Sequence, residues 1–322
     1  MLNALRFVSG AVSKLDTVPA LSHYRVEAGF IMGFNGTVAI CSPIDLALTA
    51  TPNAEQFYRA LKSCDEVVTI TQTHSGSLRV KSGTFSAVVD CLPDAYPAVA
   101  PDGAAYAVKP GMGALLKKLV PIISNDPMKL WANGALFSTD GTITVTDGVV
   151  MAQAYTGDYM PGVCNVPAVA LREVVRTGLD PVALQFGAQS LTFHFDGGKW
   201  LRTTLFNAAW PLHKLDGILG RAAQPVAIPD GYFASVEKLI PFGDDFAKLA
   251  FDPAGFHMED GDKQQRARVD MQVQEGAAGV YNARLLLKIK DLAKWIDFSQ
   301  YPSAALWSGD NVRGAIMPMV TK

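Results

Sequence analysis

The sequence predicts an α+β protein made of three tandem copies of one unit, each with two helices on antiparallel sheets. Three observations carry that expectation. The chain has 322 residues, 49% hydrophobic and 18% charged, enough for sizeable cores. At roughly 100–200 residues per domain, that length suits two or three domains. Pro/Gly-rich junctions at 93–103 and 220–231 cut it into thirds, 1–103, 104–222 and 223–322. Finally, an alternating apolar/polar hairpin recurs. It runs from Ser77-Leu78 through Gly83 and Phe85 to Tyr96-Pro97, and again from Ser190-Leu191 through Gly197-Gly198 and Trp200 to Trp210-Pro211. The last third ends on a shorter version around Gly309-Asp310 and 312–320.

Each third also carries two helical patterns. The first third has them at 2–15 and 53–62, where Asn53 behind Pro52 is a good N-cap. The second has them at 111–124 and 167–177. The third has them at 234–249 and 281–295, the latter with Leu285, Leu286, Ile289, Leu292 and Ala293 on one face. Strands fill the remainder, for example 30–40, 66–71, 135–145 and 266–273.

Several function classes drop out early. No run approaches 18 uncharged apolar residues, so no transmembrane helix is expected, and Arg6 interrupts the apolar start as a secretory signal would not. The four cysteines (Cys41, Cys64, Cys91, Cys164) form no CxxC pair, and the five histidines form no HxxxH, so zinc has no ligand set. Dispersed cysteines read as reduced packing residues of a cytoplasmic protein. Catalytic motifs are missing too: there is no GxSxG, P-loop or GxGxxG. The acidic clusters, Asp244-Asp245 and Glu259/Asp260/Asp262 near His257, lack a motif that would give a carboxylate a defined role. No cofactor and no enzymatic activity are therefore expected.

The net charge of −2 is unevenly spread. The six helical windows hold fourteen Lys/Arg against six Asp/Glu, a net +8, which leaves −10 for everything else. Glu is as good a helix former as Lys, so its scarcity there is informative. A basic helical layer on an acidic body suggests a face meant for a polyanion.

Local matches then accumulate in order. They are 78–86 (LRVKSGTFS) with Leu92-Pro93 and Tyr96-Pro97; 133–141 (NGALFSTDG) with Thr146-Asp147-Gly148; Val166-Pro167 opening a helix; Trp210-Pro211; and the closing Ile316-Met317-Pro318-Met319. In this order and spacing the chain resembles, nearly end to end, the bacterial β sliding clamp family of polymerase processivity factors, as a shortened phage-type member. The resemblance implies three clamp domains per chain and a head-to-tail homodimer closed around duplex DNA. It also implies two further partners, a replicative polymerase and a clamp loader, and no membrane. Twelve helices spaced about 8–10 Å apart trace a circle roughly 32–38 Å across. Subtracting a helix diameter of about 10 Å leaves roughly 22–28 Å, room for a B-form duplex.

The resemblance also assigns candidate residues. Lys14, Lys62, Lys117, Lys118, Lys129, Arg172, Arg176 and Lys288 are expected to face DNA phosphates without reading bases. A peptide cleft for partner tails is expected from Ala132, Thr146, Gly148, Val149, Val150, Met151, Pro211, Ile218, Met317, Pro318 and Met319. Met suits such a site because its side chain adapts to different partners. Here Val149-Val150 replaces a His-Arg pair of the family, and the segment after Pro211 is about two residues longer. Ala87 and Val89, on an edge strand at 84–91, are expected at the ring interface against 264–273, where Arg266 and Arg268 break the family's ion pairing. Two other readings compete: a metal-dependent phosphoryl-transfer enzyme of an α+β repeat fold, and a structural protein with no DNA role.

Overall fold

The computed structural model describes residues 1–13, 18–65, 67–93, 96–252, 254–260 and 266–319. The chain forms two compact units, Met1–Ala114 with Val169–Leu205, and Leu115–Ala168 with Phe206–Lys322.

The first unit holds a seven-stranded antiparallel sheet in the order Tyr24–Glu27, Phe30–Phe34, Val38–Pro43, Lys199–Thr204, Ser190–Phe195, Ala183–Phe186, Ala104–Ala107. Its centre joins first-third and second-third strands, with Cys41 opposite Trp200. Helix Leu2–Val8 buries Leu5, Phe7 and Val8 against this sheet. Gly33 permits that approach, because a Cβ there would sit 3.0 Å from the carbonyl oxygens of Val8 and Ala11. Helix Ala54–Lys62 packs on a separate three-stranded sheet, Thr69–Gln72, Leu78–Ser82, Phe85–Val89. Asn53 caps that helix as expected, its Oδ1 accepting from the Gln56 N–H at 3.1 Å.

The second unit holds an eight-stranded sheet in the order Cys164–Pro167, Gly134–Phe137, Thr142–Thr146, Val150–Tyr155, Val312–Ile316, Ala305–Gly309, Trp295–Asp297, Val226–Ala227. It also holds a four-stranded sheet, Arg266–Val269, Gly255–Glu259, Lys248–Asp252, Gly279–Asn282. A core of aromatics in edge-on and tilted contact, Tyr232, Phe251, Phe256, Tyr281 and Phe298, supports the smaller sheet.

All three hairpins read from the sequence are present, with Ser82 opposite Phe85, Phe195 opposite Lys199 and Gly309 opposite Val312. The third strand ends at Ile316, short of 320. Two expected single strands are hairpins. Asn35 Oδ1 accepts from the Thr37 and Val38 N–H groups and folds 30–40 back, and Asp140 does the same for Thr142 within 135–145. The 234–249 window is helical only through Phe242. Asp244 Oδ1 then caps the Phe246 N–H, and the chain turns into strand Lys248–Asp252. The 281–295 window shrinks to Ala283–Leu286 and Leu287–Ile289, and 266–273 to Arg266–Val269. A helix at Leu212–Leu219 was not read from the sequence, although Leu212, Leu215, Ile218 and Leu219 have helical spacing.

Candidate functional site

The residues expected to form a peptide cleft all lie in the second unit, and the structure brings most of them together. Strand Val150–Tyr155 pairs with Val312–Ile316, Met151 facing Ala315 across the ladder. The chain end continues that pairing, with Met317 N–H donating to the Val149 carbonyl at 2.9 Å. Pro318 follows, and Met319 N–H donates to Val280 at 2.7 Å, so 317–319 bridges the two sheets of the unit. Helix Leu212–Leu219 lays Ile218 and Leu219 on Ala304, Leu306 and Ala315. At its start Pro211 follows Trp210, whose ring meets Trp131 edge-on at 5.2 Å, and Trp131 adjoins Ala132.

The turn before Val150 is strongly ordered. Asp147 Oδ1 accepts from the Val149 and Val150 N–H groups at 2.8 and 2.7 Å, and the Thr146 hydroxyl donates to the Val150 carbonyl. Gly148 has φ +94°, and a Cβ there would lie 2.9 Å from Lys129 Nζ. The expected lining divides by strand alternation. Met151 shares a face with Ala315 and Met317, whereas Val150 is 0% exposed on the opposite face and Ala132 is buried. Ala132, Thr146, Val150 and Met151, all 0–4% exposed, belong to the core; Val149 and Met317, 37% and 41% exposed, are the accessible apolar groups among the expected cleft residues.

The expected DNA-facing residues divide as well. In the first unit Lys62 and Arg172 are exposed on helices Ala54–Lys62 and Ala168–Thr177. Arg176 bonds Glu173 at 2.5 Å and donates to the Arg6 and Phe7 carbonyls at 3.0 and 2.7 Å, which ties it to the end of helix Leu2–Val8. In the second unit Lys117 and Lys118 are exposed in the last turn of helix Met112–Leu119. Lys129 lies 3.8 Å from Asp126, and Lys288 forms a 2.6 Å ion pair with Asp147. Lys14 lies outside the described residues. On the helices found within the six windows, Lys/Arg outnumber Asp/Glu ten to three, a net +7, so the basic bias survives their shortening.

Strand Phe85–Val89 is an edge of its sheet, and Arg266–Val269 is an edge of the four-stranded sheet. Val89 is 1% exposed and packs inside its own unit, and Ala87 beside it is half-buried; outward-facing Val88 is 57% exposed. Residues 264 and 265 lie outside the described residues, as does Asp262. Arg268 donates from Nη1 and Nη2 to the Asp252 carboxylate at 2.7 and 2.8 Å and from Nε to Asp270 at 2.6 Å. That guanidinium holds the Asp252 carboxyl down at about 2.

Among the described residues no group of three His, Cys, Asp or Glu could hold a metal ion. The cysteines are free thiols, and burial pushes Cys41 and Cys164 up to about 12. No helix among the described residues is long and apolar enough to cross a membrane. One feature with no sequence signal is Asp297, 1% exposed. Burial alone would raise its carboxyl. Donors from Ser299, Gln224 and Gln274 outweigh that and hold it at about 2.

No family model and no curated protein matches the sequence. The fold, in contrast, has close parallels among solved structures. The DNA polymerase sliding clamp of Bacillus subtilis superposes with TM-score 0.85 at 15% identity, over 100% of this chain and 97% of that one. The Caulobacter crescentus β sliding clamp gives 0.83 at 19%, over 99% and 97%. The Pseudomonas aeruginosa DnaN clamp bound to griselimycin gives 0.81 at 18%, over 100% and 97%. The chain has the sliding-clamp fold from end to end.

Proposed function

We propose that this protein is a sliding clamp, a non-enzymatic processivity factor that encircles duplex DNA and tethers a polymerase. One observation carries the reading: a fold shared with sliding clamps over 97% of their length, whose helices bear a net +7 on a chain of net −2. At these identities the likeness is of fold, and the cationic helices supply the independent argument. Such a layer suits the phosphate backbone of a nucleic acid.

In this reading the chain is three clamp domains, 1–103, 104–222 and 223–322, and two chains close head to tail. Two unpaired sheet edges support closure, Phe85–Val89 and Arg266–Val269, since edges left open invite aggregation. Lys62, Lys117, Lys118 and Arg172 are the phosphate contacts we favour. Arg176 and Lys288 are engaged within the chain and act mainly by holding their helices. Partner tails of the polymerase and the clamp loader would dock at Val149, Met317 and Met319, beside Ile218, with Met151 buried beneath them.

The decisive experiment is topological. Loaded onto circular duplex DNA, the protein should be retained and then lost when the circle is cut by a restriction enzyme. Equal retention on circular and linear DNA would remove the encircling mechanism. No retention on either would favour a structural protein.

A further inference from the structure

We propose that the seam between two chains copies, residue for residue, the strand ladders already present inside each chain, so that Val88 lies opposite the partner's Arg266 and Ala87 opposite the partner's Ala267. This rests on the sliding-clamp reading and goes past it by fixing which residues meet.

Two ladders within the chain share one register. In the first unit Lys199–Thr204 pairs with Val38–Pro43, and in the second Val312–Ile316 pairs with Val150–Tyr155. Each of these is the second strand of a hairpin. Lys199 and Val312 are the first paired residues after their turns, whereas Ala39 and Met151 face Phe34 and Thr146, the last residues of the strands before them. Counted from those points the pairings coincide. The fourth residues, Arg202 and Ala315, face Ala39 and Met151, and the third, Leu201 and Gly314, face Ile40 and Ala152. The sixth residues close both ladders, with Thr204 N–H donating to Thr37 at 3.2 Å and Met317 N–H to Val149 at 2.9 Å. The turns themselves differ, Asp196–Gly198 against Asp310-Asn311, so turn length does not impose this register.

Two sheet edges fit the same description and have no strand beside them among the described residues. Phe85–Val89 is the second strand of its hairpin, with Phe85 first after the turn. Its fifth residue, Val89, is 1% exposed, matching Thr203 and Ile316 at 0%. Arg266–Val269 is also a second strand, and Arg266 faces Glu259, the last residue of the strand before. The inner faces agree as well: Ala87 lies opposite buried Val80, and Ala267 opposite buried Met258. Applying the shared count pairs Val88 with Arg266, Ala87 with Ala267 and Ser86 with Arg268. A slip of one residue would turn the core-facing set outward, so burial enforces the same answer. On the outer face Val88 then separates Arg79 of its own chain from the partner's Arg266, with no carboxylate between the two cations.

Cysteine pairs in the full-length protein test this. Even-numbered residues donate across the ladder, as Thr204 and Met317 do, which leaves Ala87 in a non-hydrogen-bonded pair. Cα atoms of such a pair are about 4.5 Å apart, within disulfide range. Under a mild oxidant, Ala87→Cys combined with Ala267→Cys should give a covalent dimer on a non-reducing gel. Ala87→Cys combined with Val269→Cys should not, because two residues of slip exceed the reach of about 7 Å. Independently, Val88→Glu should tighten self-association about threefold to tenfold in sedimentation, and Arg266→Gln should remove that gain. Cross-linking that prefers Val269, or none through Ala267 while circular DNA is still retained, overturns the register and leaves the clamp reading standing. So does a Val88→Glu gain that is absent or survives Arg266→Gln. A protein that stays monomeric and is not retained on DNA overturns the register and the clamp reading together.

Discussion

Asp297 shows what one side chain contributes. Its carboxylate is buried yet ionised because several donors converge on it, and those donors belong to the 224, 274 and 299 segments. Its folded pKa of about 2 lies below the unfolded value, so its stabilisation is complete above about pH 4 and is lost as pH falls through 2. A depression of nearly two units corresponds to about 2 kcal/mol. Urea unfolding should therefore show Asp297→Asn destabilised at neutral pH, with the deficit shrinking between pH 5 and pH 3. Asp252, held low by Arg268, titrates in the same window, but it does so in both proteins and cancels in the comparison. A deficit independent of pH would show that the packing of Asp297 matters and its charge does not.

Among the elements, edge strand Phe85–Val89 separates fold from assembly. The tight turn at Gly83-Thr84 makes Ser82 and Phe85 a hydrogen-bonded closing pair, so alternation aims the Ser86 and Val88 amides away from the ladder. Val88→Pro deletes an outward donor at a position an edge tolerates. Sedimentation should show self-association weakened tenfold or more, with the melting temperature nearly unchanged. Val89→Asp is a different experiment. It buries an unpaired carboxylate inside the unit, costs on the order of several kcal/mol and should lower the melting temperature. An unaltered dimer in Val88→Pro would place the interface away from this strand. The terminal segment 317–319 carries a similar double duty, because its amides join the two sheets of the second unit. Truncating it would disturb packing whether or not partners dock there, which is why Met319→Ala is the informative change for the proposed cleft.

For the whole molecule, the quantity that matters is the distribution of charge, since the total is only −2. Lys117 and Lys118 sit exposed in one helical turn, without an ion pair among the described residues. Reversing both to Glu changes the helical layer by −4 per chain, −8 in the proposed dimer. DNA retention should fall several-fold at low salt, its salt dependence should become shallower, and the melting temperature should move little. Retention with an unchanged salt slope would mean that this helix does not face DNA.

The sequence by itself determined the α+β class, the three hairpins, the Asn53 cap, the basic bias of the helices and the order of short matches. All of these are local or compositional, set by periodicity, turn residues and helix propensity. It placed helix ends poorly where a side chain cuts in, as Asp244 does after Phe242, and it read two hairpins as single strands because Asn35 and Asp140 fold the chain within an apolar run. Tertiary structure alone decided which way each candidate points and what it touches. Pairing register put Val150 in the core and Arg313 opposite Gln153, and packing gave Arg176 to helix Leu2–Val8 and Lys288 to Asp147. The physical reason is that a sequence fixes alternation along a strand, whereas the face that is buried and the partner across a ladder depend on residues up to about 160 positions away.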